Sequence, residues 1–141
     1  MKLDEIPEGF TPLVWAGFCA LIGPLYARPQ GENVVIGLRI EPRHANTGGF
    51  AHGGLIASLA DMTLTHTIGR RYAHEFYIAT ISLNIDFSGG ARIGDWVEAH
   101  PTVSKGDGGM AFVHCDLMVE GRKIVHASGV LKRLRREGGG A

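Results

Sequence analysis

One long apolar stretch near the middle of the chain most restricts the possible folds. Between Arg43 and Arg70 the only formally charged side chain is Asp61, and the apolar residues from 55 to 68 fall on nearly every side of a helical wheel. Residues 53–71 are therefore predicted to form a helix about 28 Å long that is covered all round. A carboxylate in such a helix is unfavourable unless a hydrogen bond or a raised pKa compensates. Asp61 is thus the first candidate for chemistry.

The segments around this helix have the alternating pattern of strands. Residues 34–40 and 80–87 alternate between apolar and polar side chains, and short glycine-rich turns separate three further strands at 96–105, 110–120 and 123–134. In residues 80–87, the side chains expected to point inward are Ile81, Leu83, Ile85 and Phe87, and those expected outward are Thr80, Ser82, Asn84 and Asp86. Residues 29–33 form a predicted turn. Residues 10–26 fit a short helix and a strand whose boundary the sequence leaves open.

The order of these elements predicts the class of fold. Because strands and helices do not alternate, the sheet is expected to be largely antiparallel with one long helix on its face, an α+β arrangement. The chain has 141 residues, of which 45% are hydrophobic. This length and composition suit one domain over residues 1–141, with a core at about 16–134 between a polar lead-in and a glycine-rich tail.

Charge and cysteine content restrict the partners and the compartment. Fourteen basic residues balance fourteen acidic ones, which argues against nucleic acid or an anionic membrane as the main partner. No run is long enough to span a membrane, and the N-terminus lacks the apolar core of a signal peptide. Cys19 and Cys115 are expected to be buried thiols rather than one disulfide, which favours the cytoplasm.

The residues before the helix complete a recognisable pattern. Asn46, His52, Gly53, Gly54 and Asp61 have the spacing Asn-x5-His-Gly-Gly-x6-Asp. Together with the strand at 80–87, a Gly-Asp step at 94–95 and a hairpin that opens at 105–106, this pattern resembles the hotdog-fold acyl-CoA thioesterases, and most closely the PaaI-like branch of the 4-hydroxybenzoyl-CoA thioesterase superfamily. The resemblance implies a curved sheet around a central helix, homodimers that pair into tetramers, and an acyl-CoA substrate that is hydrolysed without a separate cofactor.

The resemblance also implies roles for individual residues. Asp61 would be the general base or the nucleophile, and the Gly54 N–H at the helix start would polarise the thioester carbonyl. Asn46 would orient the attacking water or the carbonyl. His52 would hold the loop and the first helical turn, and Thr80 would help to hold water. Gly53 leaves room for the substrate at the helix start.

Further cations are candidates for the coenzyme A phosphates, namely Lys105, Arg92 and Lys132, although such residues are more often solvated surface charges. The seven histidines show no standard ligand spacing, so no metal site is predicted.

Other interpretations fit part of this pattern. Asp61 could be a structural aspartate that is hydrogen-bonded by Ser58 or Thr65. A hotdog hydratase or dehydratase of enoyl or 3-hydroxyacyl thioesters usually pairs a loop histidine with an acid on the helix, but after a His-Phe-Pro-type entry that is missing here. A non-catalytic acyl-thioester binding module is the remaining alternative.

The spacing of Gly54 and Asp61 predicts how a site could be assembled. The two residues are seven positions apart, a rise of about 10.5 Å, which is too far for one carbonyl to contact both within one chain. On the helical wheel Gly54, Ser58, Asp61 and Thr65 share one narrow strip. We therefore expect at least a dimer, with each site combining the Asn46–Gly54 loop of one subunit and Asp61 of the other.

Overall fold

A single antiparallel sheet organises the described part of the chain. The computed structural model describes residues 4–107 and 109–136. In chain order its elements are β1 (Thr11–Leu13), α1 (Phe18–Ile22), β2 (Leu25–Gln30), β3 (Asn33–Arg39), a 3₁₀ turn (Pro42–His44), α2 (Gly53–Arg71), β4 (Phe76–Phe87), β5 (Trp96–Asp107), β6 (Met110–Val119) and β7 (Arg122–Arg135). The strands lie in the order β1-β2-β3-β5-β6-β7-β4, and every neighbouring pair is antiparallel. The predicted α+β architecture is confirmed.

Helix α2 has the bounds that the sequence predicts, residues 53–71. Its apolar side chains form the core with the inner face of the sheet. At Gly129 of β7 an added Cβ would lie 2.8 Å from Leu64 Cδ1, so glycine allows the helix to approach the strand closely. The sheet does not cover α2 all round, however. Gly54 is exposed, and Ser58, Asp61 and Thr65 are only partly buried, so the strip predicted from the helical wheel is open in the single chain.

Strand β4 contains a bulge that the sequence does not predict. Its register with β7 shifts between Thr80 and Ser82, which makes Ile81 the extra residue. Ile81 is 57% exposed and Phe87 54% exposed, whereas Thr80 points at helix α2. The expectation that Ile81 points inward and Thr80 outward is therefore wrong, because the bulge interrupts the alternation. Phe87 pairs with buried Val125 and lies beside Gly53 of α2, so it is on the inner face as predicted although its ring is half exposed in the single chain. Leu83 and Ile85 pack against the core as predicted.

The region that the sequence left open, residues 10–26, contains a short strand, a short helix and the start of another strand. β2 continues through Pro29 and Gln30, and β3 begins at Asn33, so the predicted turn at 29–33 is confined to residues 31 and 32. Helix α1 is held at its C-terminal end by the 3₁₀ turn. Arg43 donates to the carbonyls of Leu21 and Gly23, and the Nε2 of His44 lies 2.7 Å from the carbonyl oxygen of Ile22.

The remaining predictions have mixed outcomes. The three strands predicted after residue 95 are present as β5, β6 and β7, within one to two residues of the expected bounds. The predicted hairpin turn at 106–109 begins later than expected, because Gly106 and Asp107 belong to β5. Residue 108 and the glycine-rich tail at 137–141 lie outside the described residues. Both cysteines are free thiols, as expected, but only Cys115 is buried, whereas Cys19 is partly exposed. Neither described α-helix has the length and hydropathy needed to cross a membrane.

Candidate active site

The loop before helix α2 is closed by Asn46. The Oδ1 of Asn46 accepts hydrogen bonds from the N–H groups of Gly48, at 2.9 Å, and Phe50, at 3.2 Å. The backbone N–H of Asn46 donates to the carbonyl of Phe50 at 2.7 Å. The side-chain oxygen therefore shapes the loop. The Nδ2 group has no hydrogen-bond partner among the described residues, so it can donate to a water or a carbonyl oxygen.

His52 caps the start of helix α2. Its Nδ1 accepts a 2.8 Å hydrogen bond from the N–H of Gly54, so the proton of the neutral imidazole is on Nε2. A Cβ at Gly54 would lie 3.0 Å from this Nδ1, so the glycine allows the ring to fold over the helix start. The N–H predicted to polarise a thioester carbonyl is thus bonded to His52 in the structure. The exposed His52 side chain has to share or release that N–H before a carbonyl can use it.

Gly53 precedes Gly54, whose N–H is bonded to His52. A Cβ there would lie 3.6 Å from the ring of Phe87, an ordinary van der Waals distance. The structure therefore gives no packing reason for glycine at this position. The helix start is exposed at both glycines, and Phe87 at the end of β4 lies beside it.

Asp61 forms its side-chain hydrogen bond with Thr80. The Oγ1 of Thr80 donates to Oδ1 of Asp61 at 2.6 Å. The two hydroxyls suggested by the structural interpretation do not contact the carboxylate. Ser58 donates to the carbonyl of Gly54 at 2.8 Å, and Thr65 donates to the backbone carbonyl of Asp61 at 3.0 Å. Within residues 4–107 and 109–136 no group donates to Oδ2 of Asp61, which can accept a proton from a water molecule.

Two cavities lie along the open strip of helix α2, on either side of Asp61. The first, which we call the entry cavity, has a volume of about 450 Å³ and includes His52, Gly54 and Ser58. The second, which we call the aromatic cavity, has a volume of about 380 Å³ and begins at Thr65. The site therefore has space for a substrate on both sides of the carboxylate.

Sequence reasoning missed the residues that cover this strip from the N-terminal side. Cys19 of α1 lies near Asp61; burial, with the carboxylate as the second cause, raises the pKa of its thiol. Trp15 lines the aromatic cavity. His44 is buried, and burial lowers the pKa of its imidazole. His44 accepts from the Glu41 N–H and anchors α1. No local pattern marks the contacts of Cys19 with Asp61 and of His44 with Ile22, because they join residues distant in sequence.

The three predicted phosphate ligands lie in different places. The Arg92 guanidinium is 4.4 Å from the centre of the Phe50 ring, so Arg92 lies beside the Asn46 loop. Lys105 pairs with Phe112 and Lys132 with Met110. Both lysines are exposed on the face of the sheet that points away from α2. Within one chain only Arg92 is close to the candidate site.

Comparison with known proteins supplies the family. The Thioesterase superfamily model matches residues 48–126, more than half of the chain, from the loop before α2 into β7. The chain belongs to the thioesterase superfamily. A curated relative of this thioesterase, the Pseudomonas aeruginosa protein named "Putative esterase PA0474", is 39% identical over 128 residues, which cover 89% of this chain and 96% of that protein.

Solved structures show the same fold. An asparagine-to-aspartate mutant of the phenylacetic acid degradation protein PaaI from Thermus thermophilus matches with a TM-score of 0.74 and 22% identity over 83% of this chain and 98% of that chain. A hypothetical thioesterase from Streptococcus pneumoniae, solved with coenzyme A, matches with a TM-score of 0.70 and 16% identity over 79% of this chain and 91% of that chain. The predicted hotdog fold is confirmed, and the protein is a thioester hydrolase.

Proposed function

We propose that this thioesterase hydrolyses acyl-CoA thioesters and that Asp61 is the catalytic carboxylate. The observation that carries the proposal is the Asp61–Thr80 pair, in which one carboxylate oxygen is held at 2.6 Å by a hydroxyl and the other lacks a described donor. The pair lies between two cavities, on a helix that has no other carboxylate. The Streptococcus pneumoniae neighbour solved with coenzyme A supports coenzyme A as the thiol part of the substrate.

In the proposed reaction, Asp61 accepts a proton from a water molecule held near Thr80. The oxygen of that water forms a bond to the thioester carbon, and the carbonyl oxygen becomes an oxyanion. When the oxyanion collapses, the carbon–sulfur bond breaks, and the proton passes from Asp61 to the leaving thiolate. The products are the free acid and coenzyme A. Direct attack by the Asp61 carboxylate, through an anhydride that water then hydrolyses, is the second form of this mechanism.

The helix start would stabilise the oxyanion. The Gly54 N–H lies at the positive end of the helix dipole, where a donor is most useful to a developing negative charge. His52 holds this N–H in the structure, so we expect the imidazole to move aside when the thioester enters. The Nδ2 group of Asn46 would orient the carbonyl or the water from the loop side.

We propose further that the site is shared between two copies of the chain. The rise of about 10.5 Å between Gly54 and Asp61 makes it hard to place one carbonyl in contact with both residues of the same subunit, which supports this proposal. Strand β4 is at the edge of the sheet, with Tyr77, Ile81 and Phe87 more than half exposed. A long, apolar edge strand is suited to pair with a second copy. A dimer of such dimers, as the family resemblance implies, stays a prediction.

Some finer parts of the proposal come from the sequence. Arg92 is the best-placed ligand for a coenzyme A phosphate, while Lys105 and Lys132 could reach one only where subunits meet. No separate cofactor or metal is part of the proposed reaction. The balanced charge argues against nucleic acid or an anionic membrane as a partner, and the free thiols favour the cytoplasm.

The test is an assay of thiol release from aryl, short-chain and long-chain acyl-CoAs by the wild type and by Asp61→Asn. We expect Asp61→Asn to lower kcat by about 10²–10⁴-fold and to keep its melting temperature within a few degrees. The matched control is Asp86→Asn, because Asp86 is an exposed carboxylate on β4, the strand that also carries Thr80, and should keep full activity. Wild-type turnover by a folded Asp61→Asn protein would exclude the assignment.

The same assay separates the alternatives. A hydratase would change the absorbance of enoyl-CoA without releasing thiol. A binding module would retain acyl-CoA in equilibrium dialysis without converting it. Single turnover in ¹⁸O-water detects the anhydride form when water attacks the aspartyl carbon, because label then enters the Asp61 carboxylate. Trapping with hydroxylamine detects the anhydride whichever carbon water attacks.

A further inference from the structure

Helix α1 forms part of the wall of the entry cavity. Its residues Phe18, Leu21 and Ile22 line this cavity together with Gly54 and Ser58 of α2. The five residues of α1 are all described, and none of them is buried. A helix of little more than one turn is not stable by itself. The shape of the cavity on this side therefore depends on contacts that fix α1 from outside the helix.

Two consecutive residues of the 3₁₀ turn supply such contacts. Arg43 donates to the carbonyls of Leu21 and Gly23. The Nε2 of His44 lies 2.7 Å from the carbonyl oxygen of Ile22, the residue between those two. Carbonyls at the C-terminal end of a helix lack partners within the helix. Three successive carbonyls at this end of α1 are thus bonded to residues about twenty positions further along the chain.

The imidazole of His44 is fully used by these contacts. His44 is 3% exposed, and its Nδ1 accepts from the N–H of Glu41 at 2.9 Å. Nε2 therefore carries the proton of the neutral ring and donates it to the carbonyl of Ile22. Burial lowers the pKa of this imidazole, which keeps the ring neutral at pH 7. Because both nitrogens are bonded within the protein, the ring holds α1 rather than exchanging protons with a substrate.

The main chain of His44 connects to the other side of the entry cavity. Its carbonyl accepts from the N–H of His52 at 2.9 Å, and Ala45 and Ala51 form the next bridge. These contacts close the base of the loop that contains Asn46. His52 in turn caps the start of α2. One residue thus links α1 to the capped helix start.

We propose that His44 is a positioning residue of the thioesterase, which sets the width of the entry cavity by fixing α1 relative to the start of α2. This inference rests on the proposed function. The ring hydrogen bond to Ile22 determines where α1 lies, and the main-chain bond to His52 ties that position to the loop. Loss of the ring hydrogen bond lets the wall move and weakens substrate binding, while the Asp61–Thr80 pair stays as it is.

Two substitutions at position 44 separate the hydrogen bonds of the ring. His44→Gln has an amide N–H that reaches about as far as Nε2, so it keeps the donor to Ile22. His44→Asn keeps an oxygen for the N–H of Glu41 but is too short to reach Ile22. The matched control is His126→Asn. The Nδ1 of His126 is also hydrogen-bonded, to Asp116 at 2.7 Å, but on the outer face of the sheet.

The first measurement is steady-state turnover of an acyl-CoA that the wild type hydrolyses. In His44→Asn we expect KM to rise about tenfold, the effect of one lost buried hydrogen bond, while kcat stays within about threefold. In His44→Gln and His126→Asn both constants should stay within about threefold of the wild type. A loss of folded protein would instead lower kcat.

The second measurement uses the two cysteines as probes of local structure. Cys19 lies on α1 and is partly exposed, whereas Cys115 is buried. In His44→Asn, alkylation by iodoacetamide should be about threefold or more faster at Cys19 and unchanged at Cys115, as expected for local opening. His44→Gln should react like the wild type. Mass spectrometry measures the two sites separately, and a generally destabilised protein would react faster at both.

The outcomes separate this role from a general structural one and from the proposed function. An unchanged KM or unchanged alkylation of Cys19 in folded His44→Asn would overturn the inference, as would an equal rise of KM in His44→Gln. If His44→Asn does not fold, Arg43→Met, which removes the donors to the adjacent carbonyls, decides by the same two measurements. If the wild type released thiol from no acyl-CoA, the proposed function would fail, and the role in substrate binding with it. Alkylation of Cys19 would still show whether His44 holds α1.

Discussion

Thr80 and Asp61 are joined by a 2.6 Å hydrogen bond that connects edge strand β4 to helix α2. The contact depends on the bulge at Ile81, where the register with β7 shifts. Thr80 would otherwise alternate with Ser82 and Asn84 on the outer face. The bulge therefore directs one hydroxyl onto the only carboxylate of the helix. Bulges are often found beside active sites, where they re-aim a side chain.

The first prediction concerns this hydroxyl. Thr80→Val keeps the shape of the side chain but removes the donor, so kcat/KM should fall by about 10–100-fold, the range expected for a hydrogen bond to a charged group. Thr80→Ser keeps the hydroxyl and should stay within about threefold of the wild type. Steady-state assays of both variants decide the matter. Equal loss in the two would show that packing, rather than the hydroxyl, is what matters.

A second prediction concerns His52, whose Nδ1 caps helix α2. His52→Ala removes the acceptor and should lower the free energy of unfolding by about 0.5–2 kcal/mol. His52→Asn supplies another capping oxygen and should restore most of that stability. Both variants should keep turnover within about tenfold of the wild type, because acid–base catalysis contributes about 10²–10⁴-fold and is not assigned to His52. Loss of turnover beyond a hundredfold in a folded variant would instead make His52 a proton carrier.

Acid should destabilise the protein partly through His66. Burial lowers the pKa of this imidazole from 6.5 to about 4, so between these values the unfolded chain binds a proton that the folded chain does not. The contribution of neutral His66 to the free energy of unfolding is therefore fully present above pH 6.5 and decreases as the pH falls towards 4. In His66→Phe the melting temperature should decline less over this interval, with a remaining slope in the same direction from His44, whose pKa burial also lowers. If the melting temperature had the same slope against pH in the wild type and in His66→Phe, the lowered pKa of His66 would be contradicted.

The bounds of α2 and the approximate positions of most strands could be predicted because each depends on a local pattern. For α2, His-Gly-Gly at 52–54 supplies the cap and the flexible start. Arg70 and Arg71 are favourable at the C-terminal end of a helix. The largely apolar run between these two ends has one charge. Alternating strands with glycine turns predicted the four strands after the helix. The recognisable spacing around Asp61 then indicated the family.

Other features could not be predicted because they depend on pairing across the sheet. The side-chain pattern around Ile81 looks the same with or without a bulge, and only the register with β7 reveals it. The register of β5 with β6 also shifts between Val103 and Lys105. The alternation of the sequence therefore does not predict on which face of the sheet Lys105 lies. Trp15 and His66 meet only because the N-terminal segment packs onto α2.

Assembly through β4 leads to a further prediction. Ile81→Lys places a charge on the exposed bulge of the edge strand, a change that opposes strand pairing. We expect the purified variant to become a monomer in light scattering and to lose activity at the same protein concentration. Phe112→Lys is the control, since Phe112 is similarly exposed but lies on the outer face of β6. A variant at Ile81 that stays dimeric and active would place the interface elsewhere.

The central claim is that one site combines Asp61 from one subunit with the Asn46–Gly54 loop from another. Complementation tests it most directly. Asp61→Asn and Asn46→Ala, each verified to be folded and inactive alone, are co-expressed with different affinity tags, and the doubly tagged mixed dimer is isolated. Each mixed dimer then has one intact and one doubly altered site.

The mixed dimer should recover about half of the wild-type activity per dimer, and an unsorted, randomly paired mixture about a quarter, as expected for an isologous pair. If Asp61 and the loop act within one chain, every site in the mixed dimer retains one defect. An isolated mixed dimer with no more activity than its parents would therefore contradict the shared site.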